Sequence, residues 1–360
     1  MLLYPVYAVL FEEHGLSAAQ ISSLFAIWSL TGFVVEIPSG MWADVFSRRK
    51  LMVLGPFLTG IGYGLWTFFP SYPAFAAGFV LWGTGSALVS GTREALVYEE
   101  LVRLGASDVY PKLIGRATAI GTTASLVSSA ITAPAMAAGG YLAVGLASVA
   151  ACWVAALLGW FMPETGKATD DDEDGRGYFA TLRIGMAEVR QAPSVRRILL
   201  ALAALAGIAS LDEYLPLLAE ATGVATPVVP LLVVLVTVGI TVGGWLAGYG
   251  ARFLSPLLVV AVVTMAGGSL WTHPLGMVPV TVAFGILYWA MAVLEGGLQN
   301  RIADRSRATV TSMAGLGSEV FAILTFAGYA LGSRWWGPGP IFAILALPYL
   351  VMAWLIRRRE

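Results

Sequence analysis

The stretch EIPSGMWADVFSRRK, residues 36–50, gathers Glu36, Asp44, Arg48, Arg49 and Lys50 in a chain of which only 12% is charged. Its surroundings explain why that concentration is informative. The 360 residues are 58% hydrophobic with a mean hydropathy of +0.78, above the roughly half apolar content of soluble domains. Before and after the quoted stretch, apolar runs follow one another, most of them near the roughly 20 residues that a helix needs to cross about 30 Å. Twelve spans are expected, at 1–11, 18–41, 51–69, 74–98, 115–137, 140–161, 197–218, 227–250, 254–272, 276–298, 309–331 and 339–356. Turn-forming stretches such as FPSYP (69–73) and WWGPGP (335–340) separate them. A closed β-barrel would read as short alternating segments, so the expected fold class is an all-α polytopic membrane protein.

The same stretch sets the orientation. If it faces the cytoplasm, 19 of the 21 Lys and Arg residues lie on that side, leaving Arg334 outside and Arg93 within the membrane. Both termini are then cytoplasmic, with RRRE (357–360) closing the last span. A net charge of -1 supplies no field that would draw nucleic acid, and a single cysteine, Cys152, excludes an internal disulfide. No secretory leader pattern opens the chain. Arg (18) outnumbers Lys (3) amid abundant Ala and Gly, which fits a GC-rich bacterial genome and hence the inner membrane. Only eleven residues precede Glu12, about 17 Å of helix; the cytoplasmic half of the first span is therefore expected to be missing, as a start codon assigned too late would produce.

The longest polar segment, 162–196, divides the chain into halves of six spans each, 1–161 and 197–360. Its acidic run Asp170–Asp174 reads as a solvated linker, and Phe179, Leu182, Met186 and Val189 share a stripe suited to an interfacial helix. The halves repeat. At an offset of 204 residues GMWADVFSR (40–48) lies over GWLAGYGAR (244–252), matching Gly40 with Gly244, Ala43 with Ala247 and Arg48 with Arg252, while Gly248 stands where the first copy has Asp44.

GMWADVFSRRK resembles the signature loop of the major facilitator superfamily, with Ser47 in place of the usual second glycine. SGTREALVYEEL (90–101) and LQNRIADRSRATV (298–310) are similar to segments of bacterial permeases of that superfamily, including those that resemble drug and metabolite exporters. The helix-four arginine pattern of drug antiporters is matched loosely by Arg93, and APAMAAGG (133–140) lacks the glycine expected before proline in the fifth helix. The resemblance implies twelve helices in two pseudo-repeat halves and a gating loop made of Gly40, Asp44, Arg48 and Arg49. Physically, Asp44 would accept from the amides of a helix N-terminus, and the arginines would pair with carboxylates or lipid phosphates.

Charges within spans are costly and usually functional. They are Glu36 in the second span, Arg93 and Glu94 in the fourth, Asp212 and Glu213 in the seventh, Glu295 in the tenth and Glu319 in the eleventh. None falls in the third, sixth, ninth or twelfth, which the resemblance places on the periphery. Glu36 and Glu295 can instead snorkel to an interface, and Asp212 and Glu213 can reach the outer surface. Glu319 lies about 17 Å along its helix, close to the midplane. A carboxyl in apolar surroundings takes up protons nearer physiological pH, which makes Glu319 and Glu213 the leading coupling acids, with Glu94 and Glu36 beside Arg93 as the alternative. Phe25, Trp28, Ser29, Gly32 and Glu36 share one helix face, as do Gly83, Ser86, Ser90 and Arg93, so the two faces are expected to line one cavity. Trp28, Trp82, Tyr288 and Trp289 suit an amphipathic, aromatic or cationic solute, or simply pack; Gly60, Gly62 and Gly64 read as close-approach positions.

No HExxH pattern occurs and the only histidines, His14 and His273, fall in expected outer loops, which argues against an enzyme and against a metal or other cofactor. Without a nucleotide-binding loop the chain has no ATP motor of its own. The expectation is a monomeric secondary transporter in the lipid bilayer, exporting a small amphipathic solute or drug by proton antiport. The competing readings are a metabolite uptake symporter or facilitator, and a non-transporting receptor or scramblase.

Overall fold

The computed structural model describes residues 1–45, 47–106, 109–162, 192–302 and 307–357; the side chains of residues 36–46 and of some further positions, Glu94 among them, lie outside the description. The acidic run and the interfacial stripe of the central segment therefore fall outside it too. All regular structure among the described residues is helical, and each of the twelve expected spans carries helix. Among the described residues nine helices are long and apolar enough to cross a membrane. The chain divides into two compact units, one drawn from residues 1–170 and 226–231, the other from 171–225 and 232–360.

In the first unit a short helix α1 (Tyr7–Glu13) turns at Gly15, φ +82°, into α2 (Ala18–Val45). Ser17 and Gln20 close a reciprocal capping box there: Gln20 N–H donates to Ser17 Oγ at 3.3 Å and Ser17 N–H to Gln20 Oε1 at 2.9 Å. The expected loop at 42–50 is shorter than its sequence implied. Helix α2 runs on to Val45 and α3 (Arg48–Phe68) begins three residues later. Ser47 makes that possible, because its side chain accepts from Lys50 N–H at 3.4 Å and caps α3; the departure from the family's glycine is a helix cap.

Helix α4 (Tyr72–Arg103) packs antiparallel on α3 through two glycine pairs seven residues apart in each helix, Gly55 with Gly85 and Gly62 with Gly78. A Cβ on Gly85 would stand 2.5 Å from the carbonyl oxygen of Gly55, so the backbones touch. The fifth and sixth spans are two helices within Tyr110–Trp160, together α5, that meet at a kink where Gly139 and Gly140 leave helical geometry, the latter at φ +58°. Gly60 seats Trp153 and Cys152 of α5, whereas Gly64 meets only Val149 at 4.0 Å. Tyr7, Phe11, Phe25, Trp66, Phe75 and Phe79 form a buried aromatic core, with Trp66 Nε1 donating to Phe75 O at 3.1 Å.

The second unit begins with α6 (Pro193–Ala209), which passes through a tight turn of 3₁₀ helix (Ser210–Tyr214) into α7 (Leu215–Glu220). Then follow α8 (Val229–Trp245), α9 (Leu254–Leu270), α10 (Met277–Gln299), α11 (Arg307–Gly332), α12 (Pro338–Leu345) and α13 (Pro348–Arg357). Gly207 lets α6 press onto the backbone of α11 at Ser318–Ala322, and Gly243 does the same for α8 on Gly285 of α10. Two expected spans are thus interrupted: the seventh at Ser210–Tyr214 and the twelfth at Ala346–Leu347. Each interruption is followed by a proline, Pro216 and Pro348, which has no N–H to continue the ladder of hydrogen bonds.

Candidate functional site: an acidic cluster at two interrupted spans

The interruption in the seventh span carries Asp212 and Glu213 side by side. Glu213 is 9% exposed, and Asp212 is half-buried. Across from them Tyr288, eleven residues into α10 and so about 17 Å along it, donates its hydroxyl to Asp212 Oδ2 at 3.2 Å. Tyr349, the second residue of α13, is 1% exposed. Its hydroxyl has no hydrogen-bond partner among the described residues. Counting charges within the spans found Asp212 and Glu213, and Tyr288 was read as aromatic surface for a solute, but Tyr349 was passed over; the signal for it was the proline of LPY (347–349), which stops one helix and starts another.

The basic residues of the surrounding spans stand at the span ends, Arg196 and Arg197, Arg307 and Arg357. Residues 198–251, 274–300, 308–333 and 335–356 contain no Lys, Arg or His. Glu319 is half-buried on α11 and Glu295 is exposed near the end of α10. An acidic interior of this kind calls for a proton or another cation whenever the carboxylates leave water.

The other sequence candidates fall into separate places. Trp289 is 5% exposed, and its indole N–H donates to Leu246 O at 3.1 Å and Tyr249 O at 3.0 Å, which ties α10 to the turn after α8. In that turn, the second copy of the signature stretch, Arg252 lies 4.8 Å from the ring of Phe253. In the first copy Arg49 lies 5.4 Å from the ring of Trp160, a cation–π contact between the start of α3 and the end of α5. Arg48 is half-buried, while the surroundings of Gly40 and the side chains of Glu36, Asp44 and Glu94 lie outside the description.

Trp28 and Trp82 are brought together across α2 and α4, ring centroids 5.4 Å apart. A cavity of ≈ 470 Å³ in the first unit is lined by Trp82, Ser86, Ser90 and Arg93 of α4 with parts of α3, α5 and the first turn of chain. Among the described residues none of α2 lines this cavity, and Gly83 faces α2, where a Cβ would stand 3.2 Å from Trp28 O. Phe25 and Ser29 are buried in the packing of α2 on α4. Among the described residues no group of three or more potential ligands is placed to hold a metal ion.

Residues 1–298 match the family profile described as Major Facilitator Superfamily. The chain belongs to this superfamily. A mutant form of the nucleoside transporter NupG superposes with a TM-score of 0.80 at 12% identity, covering 99% of this chain and 95% of that one. A POT family peptide transporter in an auto-inhibited form gives 0.71 at 11%, covering 100% and 94%, and a D-xylose-proton symporter 0.68 at 15%, covering 98% and 92%. At such identities the likeness is one of fold. No curated protein sequence matches the chain. Family and fold together make this a multi-pass membrane transporter, and they point away from an enzyme.

Proposed function

We propose that this superfamily member is a monomeric secondary active transporter of the bacterial inner membrane, both termini cytoplasmic. Two six-helix halves, 1–161 and 197–360, joined through 162–196, would alternate access, exporting a small amphipathic solute or drug as protons enter. The observation that supports proton coupling is the acidic cluster of the second unit, where Asp212 and Glu213 sit at a helix interruption and the stretches 198–251, 274–300, 308–333 and 335–356 contain no basic residue. A proton is the smallest counter-charge that lets such a cluster change its exposure to water. Glu319 is the second candidate acid. The gating role belongs to Gly40, Asp44, Arg48 and Arg49; Ser47 supports it by fixing where α3 starts. Trp28 and Trp82, with Arg93, offer aromatic and cationic surface to a solute in the first half.

A symporter is the second reading, favoured by the fold shared with a D-xylose-proton symporter. One assay separates the two. Purified protein in liposomes is given a panel of labelled solutes under an imposed pH gradient of either sign. Export by antiport is supported when a solute accumulates in the compartment of lower pH, and symport when it accumulates on the opposite side. Flux that ignores the gradient would leave a facilitator, and no flux above empty liposomes would leave a receptor.

A further inference from the structure

We propose that the cavity of the first unit takes an organic anion, with its oxyanion head at Arg93 and an aromatic or apolar body laid along α4 toward Trp82. This rests on the transporter reading above and narrows its amphipathic solute to one charge class.

One face of α4 carries the site. Trp82, Ser86, Ser90 and Arg93 recur at the spacing of successive helical turns, and all four line the cavity. Trp82 lies about 15 Å into α4 and Arg93 about 17 Å farther, near the end that the proposed topology turns to the cytoplasm. The face is therefore aromatic at one end, cationic at the other and hydroxylated between. The half-buried ring of Trp82 is held edge-on by Tyr4 and tilted against Tyr63, with centroids 6.3 and 5.7 Å away. Packing has already fixed this aromatic wall, so a solute need not order it.

Three hydroxyls face the same space with their donors unspent. Elsewhere in the unit Thr59, Thr132 and Ser148 each donate to the carbonyl four residues earlier. Ser86, Ser90 and Ser125 line the cavity and make no hydrogen bond among the described residues. Arg93 is the only charged side chain among the described residues of the lining, and no Asp or Glu stands among them. A guanidinium stays ionised and carries five N–H donors in a fork that matches an oxyanion, so it can take a head group and keep contacts within the protein. An anion leaving water needs such a partner, whereas an ammonium would meet a like charge and no described carboxylate. Of the aromatic residues that sequence alone matched to a cationic solute, Trp82 lines this cavity, and it shares its helix face with a cation. The volume of ≈ 470 Å³ falls within the roughly 300–1,000 Å³ of small-molecule sites.

Three tritiated probes that share one ring system and differ in charge test this: naphthoate, naphthamide and naphthylmethylammonium, in equilibrium binding to the purified full chain without a pH gradient. Naphthoate should bind at least about tenfold more tightly than the amide, and the ammonium more weakly than either. Arg93→Gln should bring naphthoate down to the affinity of the amide. Ser86→Trp, which fills the cavity beside Trp82, should cost all three probes their binding. The ranking in the unaltered chain is decisive whether or not Arg93→Gln folds. No binding of naphthoate, equal or tighter binding of the ammonium, a preference that survives Arg93→Gln, or binding that survives Ser86→Trp overturns the proposal. Charge-ranked binding without gradient-driven flux in liposomes would leave the anion site standing and remove the proton-coupled reading; gradient-driven flux through a chain that binds naphthoate no better than the ammonium would do the reverse.

Discussion

Trp289 and Tyr288 are neighbours in α10, yet they do different work. The indole of Trp289 holds two backbone carbonyls of the turn that follows α8, while the hydroxyl of Tyr288 reaches the acid of the seventh span. Sequence alone grouped both as aromatic surface for a solute. Replacing Trp289 with Phe keeps an aromatic ring but removes the donor shared by the carbonyls of Leu246 and Tyr249, at a cost of about 1 kcal/mol for a half-buried hydrogen bond. Thermal unfolding of the detergent-purified variant should show a midpoint about a degree or two below wild type. An unchanged midpoint would mean that solvent or lipid already satisfies those carbonyls.

Among the helices, contact is governed by glycine. Gly55, Gly62, Gly78 and Gly85 bring α3 and α4 to backbone contact, and Gly207 does the same for α6 on α11. Gly85→Ala places a methyl 2.5 Å from Gly55 O, where no flexible side chain can give way, and this should destabilise the protein by about 1–3 kcal/mol, in the range of overpacked cores. Gly64→Ala, whose Cβ meets only Val149 at 4.0 Å, should be neutral or stabilising by up to about 1 kcal/mol through helix propensity. Folded fraction after a heating series distinguishes the pair; equal loss in both would show that α3 is less tightly held than this packing requires. The spans themselves were legible, because an apolar run of membrane length has few alternatives. The interruptions at Ser210–Tyr214 and Ala346–Leu347 were not: the second is a turn of apolar residues to which hydropathy is blind, Asp212 and Glu213 of the first were read as charges within an unbroken span, and only Pro216 and Pro348 hinted at either break. The α2–α3 loop was read too long because charge was taken for loop, when Met41 to Val45 continue the helix and Ser47 caps the next.

For the whole molecule, the decisive sequence feature was the charged stretch 36–50, which gave the family that residues 1–298 match. The acids inside the spans could be found by counting, but their arrangement could not: a carboxylate's partners come from helices distant in sequence, here 76 residues away for Tyr288. If Asp44 latches one state of the transport cycle, Asp44→Asn should slow turnover while leaving apparent solute affinity nearly unchanged, because it shifts the balance of states without touching the solute's contacts. Normal turnover in a well-expressed variant would reduce the stretch to a topology anchor. The central claim is that solute and proton move in one coupled cycle, and its most direct test is proton movement itself. With a pH-sensitive dye sealed inside proteoliposomes and no gradient at the start, adding a transported solute outside should drive protons out as solute enters, raising the internal pH, and Asp212→Asn should abolish that change while solute exchange continues. Solute entry with no change of internal pH in the wild-type protein would contradict the account.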